Sequence, residues 1–222
     1  MAVIALTSGM GTGVKYVAEI VARQLGVELV HREICVPGAD RLPAATKVRH
    51  APWGSRWEAG LAWLEASRAE EGLAHLEEVC RMAQRGNVLI WGITPLHFLS
   101  AATQVTKIRV RTTMALRVRR IMSCMGTDEP DSALEKILQN DRHHADTLRR
   151  MFGVDDFETP SLYDAVIDTG REPAETCAMQ IVKLASAPDK KMVAASKATF
   201  DVMIEQIQTL RRHIDRQLVS AN

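Results

Sequence analysis

The residues best suited to chemistry stand near the start of the chain. Ser8-Gly9-Met10-Gly11-Thr12-Gly13-Val14-Lys15-Tyr16 sets three glycines at alternate positions and follows them with a lysine. A phosphate needs backbone N–H groups that converge with no side chain in the way. Glycines between a strand and a helix supply them, and the helix N-terminus adds partial positive charge. Against the form G-x-x-x-x-G-K-[ST], neither register is complete. Counting from Gly9 puts Lys15 at the lysine, but leaves Val14 for the second glycine and Tyr16 for the hydroxyl residue that would hold magnesium. Counting from Gly11 and Gly13 puts Val14 where the lysine belongs. The dinucleotide fingerprint G-x-G-x-x-G, begun at Gly9, fails at its third glycine, where Val14 stands. Glu33 could still serve as its ribose acid, so a dinucleotide-binding enzyme stays open, as does a glycine turn that only packs a helix on a sheet.

Other reactive residues carry less. Arg117, Arg119 and Arg120 make one helix strongly basic, although such a face is commonly a solvated one. His143 and His144 are adjacent, so on a helix they point about 100° apart and read as surface histidines rather than metal ligands. Cys35, Cys80, Cys124 and Cys177 form no CxxC pair and no zinc spacing; they read as reduced, mostly buried thiols. Trp53, Trp57 and Trp63 could stack a base or pack a core.

The elements that must position these groups follow from periodicity. Val3 to Leu6 reads as a buried strand, Lys15 to Leu25 as a helix closed by Gly26, and Val27 to Ile34 as a second strand. This is a βαβ opening. Pro37 to Arg56 is irregular. A helical stretch from Trp57 to Arg85, with a break at Gly72, precedes strands at Val88–Trp91 and Val105–Val110. Helices follow at Thr113–Met125 and Asp131–Met151, then a strand at Val166–Thr169 and a helix at Glu172–Ala185. Strands alternating with helices predict an α/β fold, a parallel sheet flanked by helices. Residues 186–191 read as a linker, and Met192 to Val219 as one long helix with an apolar stripe of Phe200, Met203, Ile207, Leu210 and Ile214. Such a stripe must be covered, and a second copy of the chain is the expected cover, giving a homodimer.

The 222 residues are 46% hydrophobic, enough for one large domain, and 28 basic against 27 acidic side chains leave a net charge of +1. That balance gives no reason to expect nucleic acid or an anionic membrane as partner. No apolar run approaches the roughly 18 residues of a membrane span, and no leader pattern precedes the glycines, so a cytoplasmic location is expected.

Residues 149–169, Arg-Arg-Met-Phe-Gly-Val-Asp-Asp-Phe-Glu-Thr-Pro-Ser-Leu-Tyr-Asp-Ala-Val-Ile-Asp-Thr, closely resemble the FGVDW-x-D-P-x-L-Y-D-L-V-I-N-T segment of the cytidylate-kinase-like family of nucleoside monophosphate kinases. Ala115 to Met122 is similar to that family's E-Y-R-I-E-R-I-M helix, and Asn140-Asp141-Arg142 to its x-D-R segment. The loop from Leu6 to Lys15 resembles I-S-R-E-F-G-S-G-G-R, a form that itself lacks the usual lysine. His31 to Ile34 resembles Y-D-K-E-I, and Val88 to Thr94 resembles V-I-V-G-R-G-A. The similarity spans residues 1–185, leaving the linker 186–191 and the helix 192–222 outside it.

The resemblance implies a P-loop kinase fold with an arginine-bearing helical lid, transferring a phosphoryl group from ATP, with Mg2+, to a pyrimidine monophosphate such as CMP. It implies Gly9, Gly11, Thr12, Gly13 and Lys15 around the donor phosphates, Arg120 and Arg149 as further nucleotide ligands, and Lys15, Arg117 and Arg142 as the catalytic cations. Bidentate guanidinium groups suit phosphate geometry. Departures at Val14, Tyr16, Ile93, where the family commonly has an acceptor-binding arginine, His144 and Thr147 raise the alternative. In that reading the protein has the same fold and binds a nucleotide or another phosphorylated small molecule with little or no turnover.

Overall fold

The computed structural model describes residues 1–32, 54–190 and 193–220. Five strands, β1 (Val3–Ser8), β2 (Glu28–His31), β3 (Val88–Trp91), β4 (Thr106–Arg111) and β5 (Ala165–Asp168), form one parallel sheet in the order β2-β3-β1-β4-β5. β1 lies at the centre and is buried along its whole length, as a parallel strand covered on both faces must be. Successive residues of β1 face opposite layers. Ile4 and Leu6 join Ile108 and Val110 of β4 against α1 (Val14–Leu25) and α7 (Ala174–Ala185). Val3 and Ala5 join the opposite core, built with α2 (Gly54–Ala66), α3 (Glu70–Arg85), α4 (Ile93–Phe98), α6 (Pro130–Phe152) and α8 (Ala194–Ser220). Between β4 and α6 runs α5 (Met114–Met125), N-capped by the Thr113 hydroxyl, which accepts from the Leu116 amide.

The α/β architecture and the βαβ opening are as the periodicity predicts, with differences of local origin. The stretch 57–85 divides at Ser67–Ala69, where Arg68 takes φ 48, and not at Gly72, which is buried inside α3. The left-handed residue ends α2, and Glu70 and Glu71 favour a new helix N-terminus just beyond it. The short helix α4 was not foreseen. Its Pro95 falls in the first turn, where a missing N–H costs nothing. Trp57 and Trp63 are buried in the core, with the Trp57 indole donating to Gln206 Oε1 at 2.7 Å, so neither is a base-stacking platform. Trp53, Glu33 and Cys35 lie outside the described residues. Cys80 and Cys177 are buried, whereas Cys124 is exposed on α5.

The C-terminal stripe is covered within the chain. Phe200, Met203, Ile207 and Ile214 are nearly solvent-free and share one core with Leu73, Leu76 and Cys80 of α3. Glu77 of α3 anchors the contact, accepting from Arg81 at 2.7 Å, Gln208 at 2.9 Å and Arg211 at 2.9 Å. The segment read as a linker includes a 3-10 turn, Pro188–Lys190, and the Lys190 ammonium donates to Asp164 Oδ2 and to the Thr103 carbonyl, both at 3.0 Å. The apolar face that called for a second copy has therefore found its cover on α3.

Candidate nucleotide and phosphate site

The glycine loop leaves the C-terminal end of β1 and turns into α1. Gly11 at φ 80 and Gly13 at φ 77 take left-handed conformations that other residues adopt only at a cost, and Gly13 is the N-cap of α1. Thr12 closes the turn, its hydroxyl donating to the Gly9 carbonyl at 3.0 Å. The glycines also admit α5. A Cβ on Gly11 would lie 2.8 Å from the Arg117 carbonyl oxygen, and one on Gly9 would lie 2.7 Å from Arg117 Nη2.

Two of the sequence-derived arginines meet here. Arg117 donates from Nε to the Met10 carbonyl and grips Asp141 of α6 through both terminal nitrogens, each bond 2.7 Å. Arg120 donates to the Thr12 carbonyl at 2.6 Å and to the Thr169 hydroxyl at 3.1 Å, while that hydroxyl donates to Thr12 at 2.6 Å. The loop's carbonyl side is thus held by guanidinium groups, which leaves its amide side and the α1 N-terminus to meet an anion.

The other proposed cations stand apart from the loop. Lys15 is 76% exposed and lies 4.0 Å from Glu19, one turn along α1. Arg142 is exposed and donates to the Leu138 carbonyl of its own helix. Arg149 pairs with Asp146 at 3.1 Å on the surface of α6. Tyr16, in the magnesium-hydroxyl position, is 58% exposed. His144 departs from the expected surface histidine: it is half-buried beside Asn140, and burial, then the neighbouring His143, lower its pKa to about 4.

A cleft of about 310 Å³ opens beside the loop, lined by Gly9, Thr12 and Arg117, by Arg109, Arg111, Thr112 and Thr113 from the end of β4, and by Glu158 and Asp168. The β4 residues were not singled out from the sequence, although a signal was present. Lys107, Arg109 and Arg111 occupy alternate positions of a strand read as buried, so period two places all three on one face of the sheet, opposite Ile108 and Val110. Arg109 is 3% exposed. It bonds Glu158 through Nη2 and lies over the Phe157 ring, 4.8 Å from its centroid. Nearby, the buried Arg56 and His97 meet at 3.0 Å, and burial lowers the Arg56 pKa to about 10 and holds His97 neutral well below its usual value. Tyr163 closes this wall, donating to the Phe157 carbonyl at 2.6 Å.

Among the described residues, no group of three or more His, Cys, Asp or Glu is placed to hold a metal ion. Of the two carboxylates lining the cleft, Glu158 is bound to Arg109, and Asp168 accepts from the Gly170 amide at 2.9 Å. Magnesium suits this donor set as an ion carried on nucleotide phosphates rather than caged by protein.

The family model of the cytidylate kinase-like family matches residues 3–171. Among solved structures, an uncharacterized protein from Eubacterium ventriosum aligns at TM-score 0.61 and 16% identity, covering 82% of this chain and 96% of that one. A shikimate kinase from Bacteroides thetaiotaomicron aligns at TM-score 0.47 and 17% identity, over 84% of this chain and 99% of that one. Another from Acinetobacter baumannii, in complex with shikimate, aligns at TM-score 0.42 and 15% identity, over 83% and 92%. No curated protein is significantly similar to the chain.

Proposed function

As this chain belongs to the cytidylate kinase-like family, we propose that it transfers the terminal phosphoryl group of ATP to a small phosphorylated acceptor, with a pyrimidine monophosphate such as CMP as the first candidate. An acceptor phosphate oxygen attacks the terminal phosphorus, that P–O bond forms, and the bond to the bridging oxygen breaks to release ADP. Such transfer depends on positioning and on positive charge over the transferring group more than on covalent help from the protein. The observation that carries the reading is the glycine loop at the end of the central strand, roofed by Arg117 and Arg120 and opening onto the cationic end of β4. Gly9, Gly11, Thr12 and Gly13 form the donor cradle. Arg142 and Arg149, which face solvent on α6, enter the reading as cations that come to the phosphates when the lid helices α5 and α6 close on bound nucleotide, and Lys15, exposed on the first turn of α1, as one that reaches them by turning its own side chain. Asp168 would be the carboxylate to hold magnesium carried on the nucleotide phosphates, in a cytoplasmic setting that supplies both.

A second reading, nucleotide binding without turnover, draws on a specific observation: Arg117 is committed to Asp141, and neither Lys15 nor Tyr16 offers the loop a cation or a short hydroxyl. One experiment separates the two. ADP formation from ATP is followed against a panel of monophosphates, with and without magnesium, beside calorimetric ATP binding. ADP that requires both acceptor and magnesium supports the kinase. Tight ATP binding with no acceptor-dependent ADP supports the binder. Preference for a nicotinamide dinucleotide over ATP would overturn both. A homodimer through α8 has little uncovered stripe to support it, because Phe200, Met203, Ile207 and Ile214 are buried in the core shared with α3 and Leu210 is partly buried against it.

A further inference from the structure

Arg109 is the most unusual cation of the cleft. It sits on the central half of the sheet with 3% of its surface exposed, yet among the described residues only Nη2 has an acceptor, the carboxylate of Glu158; Nε and Nη1 are buried without one there. A buried guanidinium with two unmet nitrogens is costly to keep, since each unsatisfied donor forfeits its hydration. The Thr112 hydroxyl, three residues on and lining the same cleft, is likewise buried with no partner among the described residues. Its neighbour Arg111 is loosely held, 3.9 Å from Asp168. By contrast, Arg117 on the other wall is fully paired with Asp141 and Met10. The lid on Arg109 is slight: Glu158 is 47% exposed and reaches in from the short segment between α6 and β5.

We infer that Arg109 and Thr112 form a phosphomonoester subsite for the acceptor, and that Glu158 is a resident carboxylate which the incoming phosphate displaces. This rests on the reading of the cleft as a phosphate-handling site and names the part of it that holds the acceptor. A phosphate dianion matches the guanidinium fork and has oxygens to spare for a hydroxyl, whereas one carboxylate oxygen satisfies a single nitrogen. Exchange of Glu158 for phosphate removes the buried deficit and keeps the charge of Arg109 compensated throughout. Glu158 then sets a threshold: an uncharged or singly charged acceptor does not displace it, and a dianion does. The Phe157 ring beneath the guanidinium keeps its plane fixed during the exchange.

The test uses the full chain and inorganic phosphate at constant ionic strength, reading the Arg109 Nε–H resonance by NMR and affinity by calorimetry. Phosphate is expected to shift that resonance saturably. Glu158→Gln, a half-exposed and nearly isosteric change, is expected to tighten phosphate about fivefold by removing the competitor's charge. Arg109→Lys is expected to weaken phosphate tenfold or more, since a point charge replaces the fork. If that variant does not fold, the Glu158→Gln titration decides alone. Unchanged or weaker binding in Glu158→Gln, or an Arg109 resonance indifferent to phosphate, overturns the inference. CMP is expected to show the same tightening and ADP none; tightening for ADP would move the subsite to the donor and overturn the acceptor assignment. The two readings fail separately. Phosphate that titrates as expected with no acceptor-dependent ADP removes the kinase and leaves the subsite. ADP formation with Arg109 unmoved by phosphate removes the subsite alone.

Discussion

Arg117 both ties the loop to α5 and neutralises Asp141, so its loss is expected to strike stability. Arg117→Ala strips a carboxylate that is only 24% exposed of its bidentate partner. Removing one member of a well-buried pair costs about 3–5 kcal/mol; discounting for the exposure here leaves an expected loss of about 2–3 kcal/mol in urea denaturation. Arg142→Ala, which frees only an exposed bond to its own helix, is expected to stay within about 0.5 kcal/mol of the parent. Equal effects in the two variants would contradict this placement. His144 gives a pH signature. In the unfolded chain its ring takes a proton near the usual value of 6.5, and in the folded chain only near 4. Between these values the unfolded state binds more protons, so stability is full above pH 6.5 and declines as pH falls toward 4. His97, buried and held neutral, acts in the same sense. The melting temperature of His144→Gln is expected to fall less steeply over that window than the parent's; parallel curves would show that His144 ionises freely in the fold.

At the scale of elements, two contacts bear the weight. The loop and α5 approach so closely that Gly11→Ala places a methyl group 2.8 Å from the Arg117 carbonyl oxygen at a positive φ. About 1–3 kcal/mol of destabilisation is expected, together with weaker ATP binding, because the loop must shift away from α5. A variant with unchanged melting and unchanged ATP affinity would mean that the loop tolerates a different path. The second contact is α8 on α3. Ile207, with no exposed surface, is expected to cost about 2–5 kcal/mol when cut to Ala. Truncation after Lys190 removes Phe200, Met203, Ile207 and Ile214 together, each worth about 1.5–3 kcal/mol of burial. The truncated chain is expected to lose its cooperative thermal transition and to bind an apolar dye. A cooperative, folded truncation product would place α8 outside the stability unit.

For the whole molecule, the fold predicts how ligands register globally. A nucleotide that binds only the folded chain at about a hundred times its dissociation constant adds about 2.7 kcal/mol. For a domain of this size, that raises the melting temperature by roughly 5–10 °C. ATP is expected to give such a shift, and a nicotinamide dinucleotide is not; the reverse ranking would sink the proposed function. Light scattering at micromolar concentration is expected to give the mass of one chain, because four of the five stripe residues on α8, all but the partly buried Leu210, are already buried in the core shared with α3. A stable dimer would require another surface altogether.

Local signals by themselves determined a great deal. The glycines between a buried strand and an amphipathic helix specified the βαβ opening and the tight turn into α1, since φ above zero and strand burial are written in residue type. The 149–169 segment carried the family, and Arg117 and Arg120 were placed at the loop by the motif on which they stand. Other features were decided only by the fold. Lys107, Arg109 and Arg111 look like ordinary charges until β4 lies between two helical layers and period two turns them all to one side. The cover of the C-terminal stripe was equally undetermined, because an apolar face states that it must be buried and not against what. Lys15, Arg142 and Arg149 share residue type with the loop arginines, but helix phase sends them to solvent. Residue type and local period reside in the chain; which distant surfaces meet is a property of packing, and the cleft beside the loop is built from such meetings.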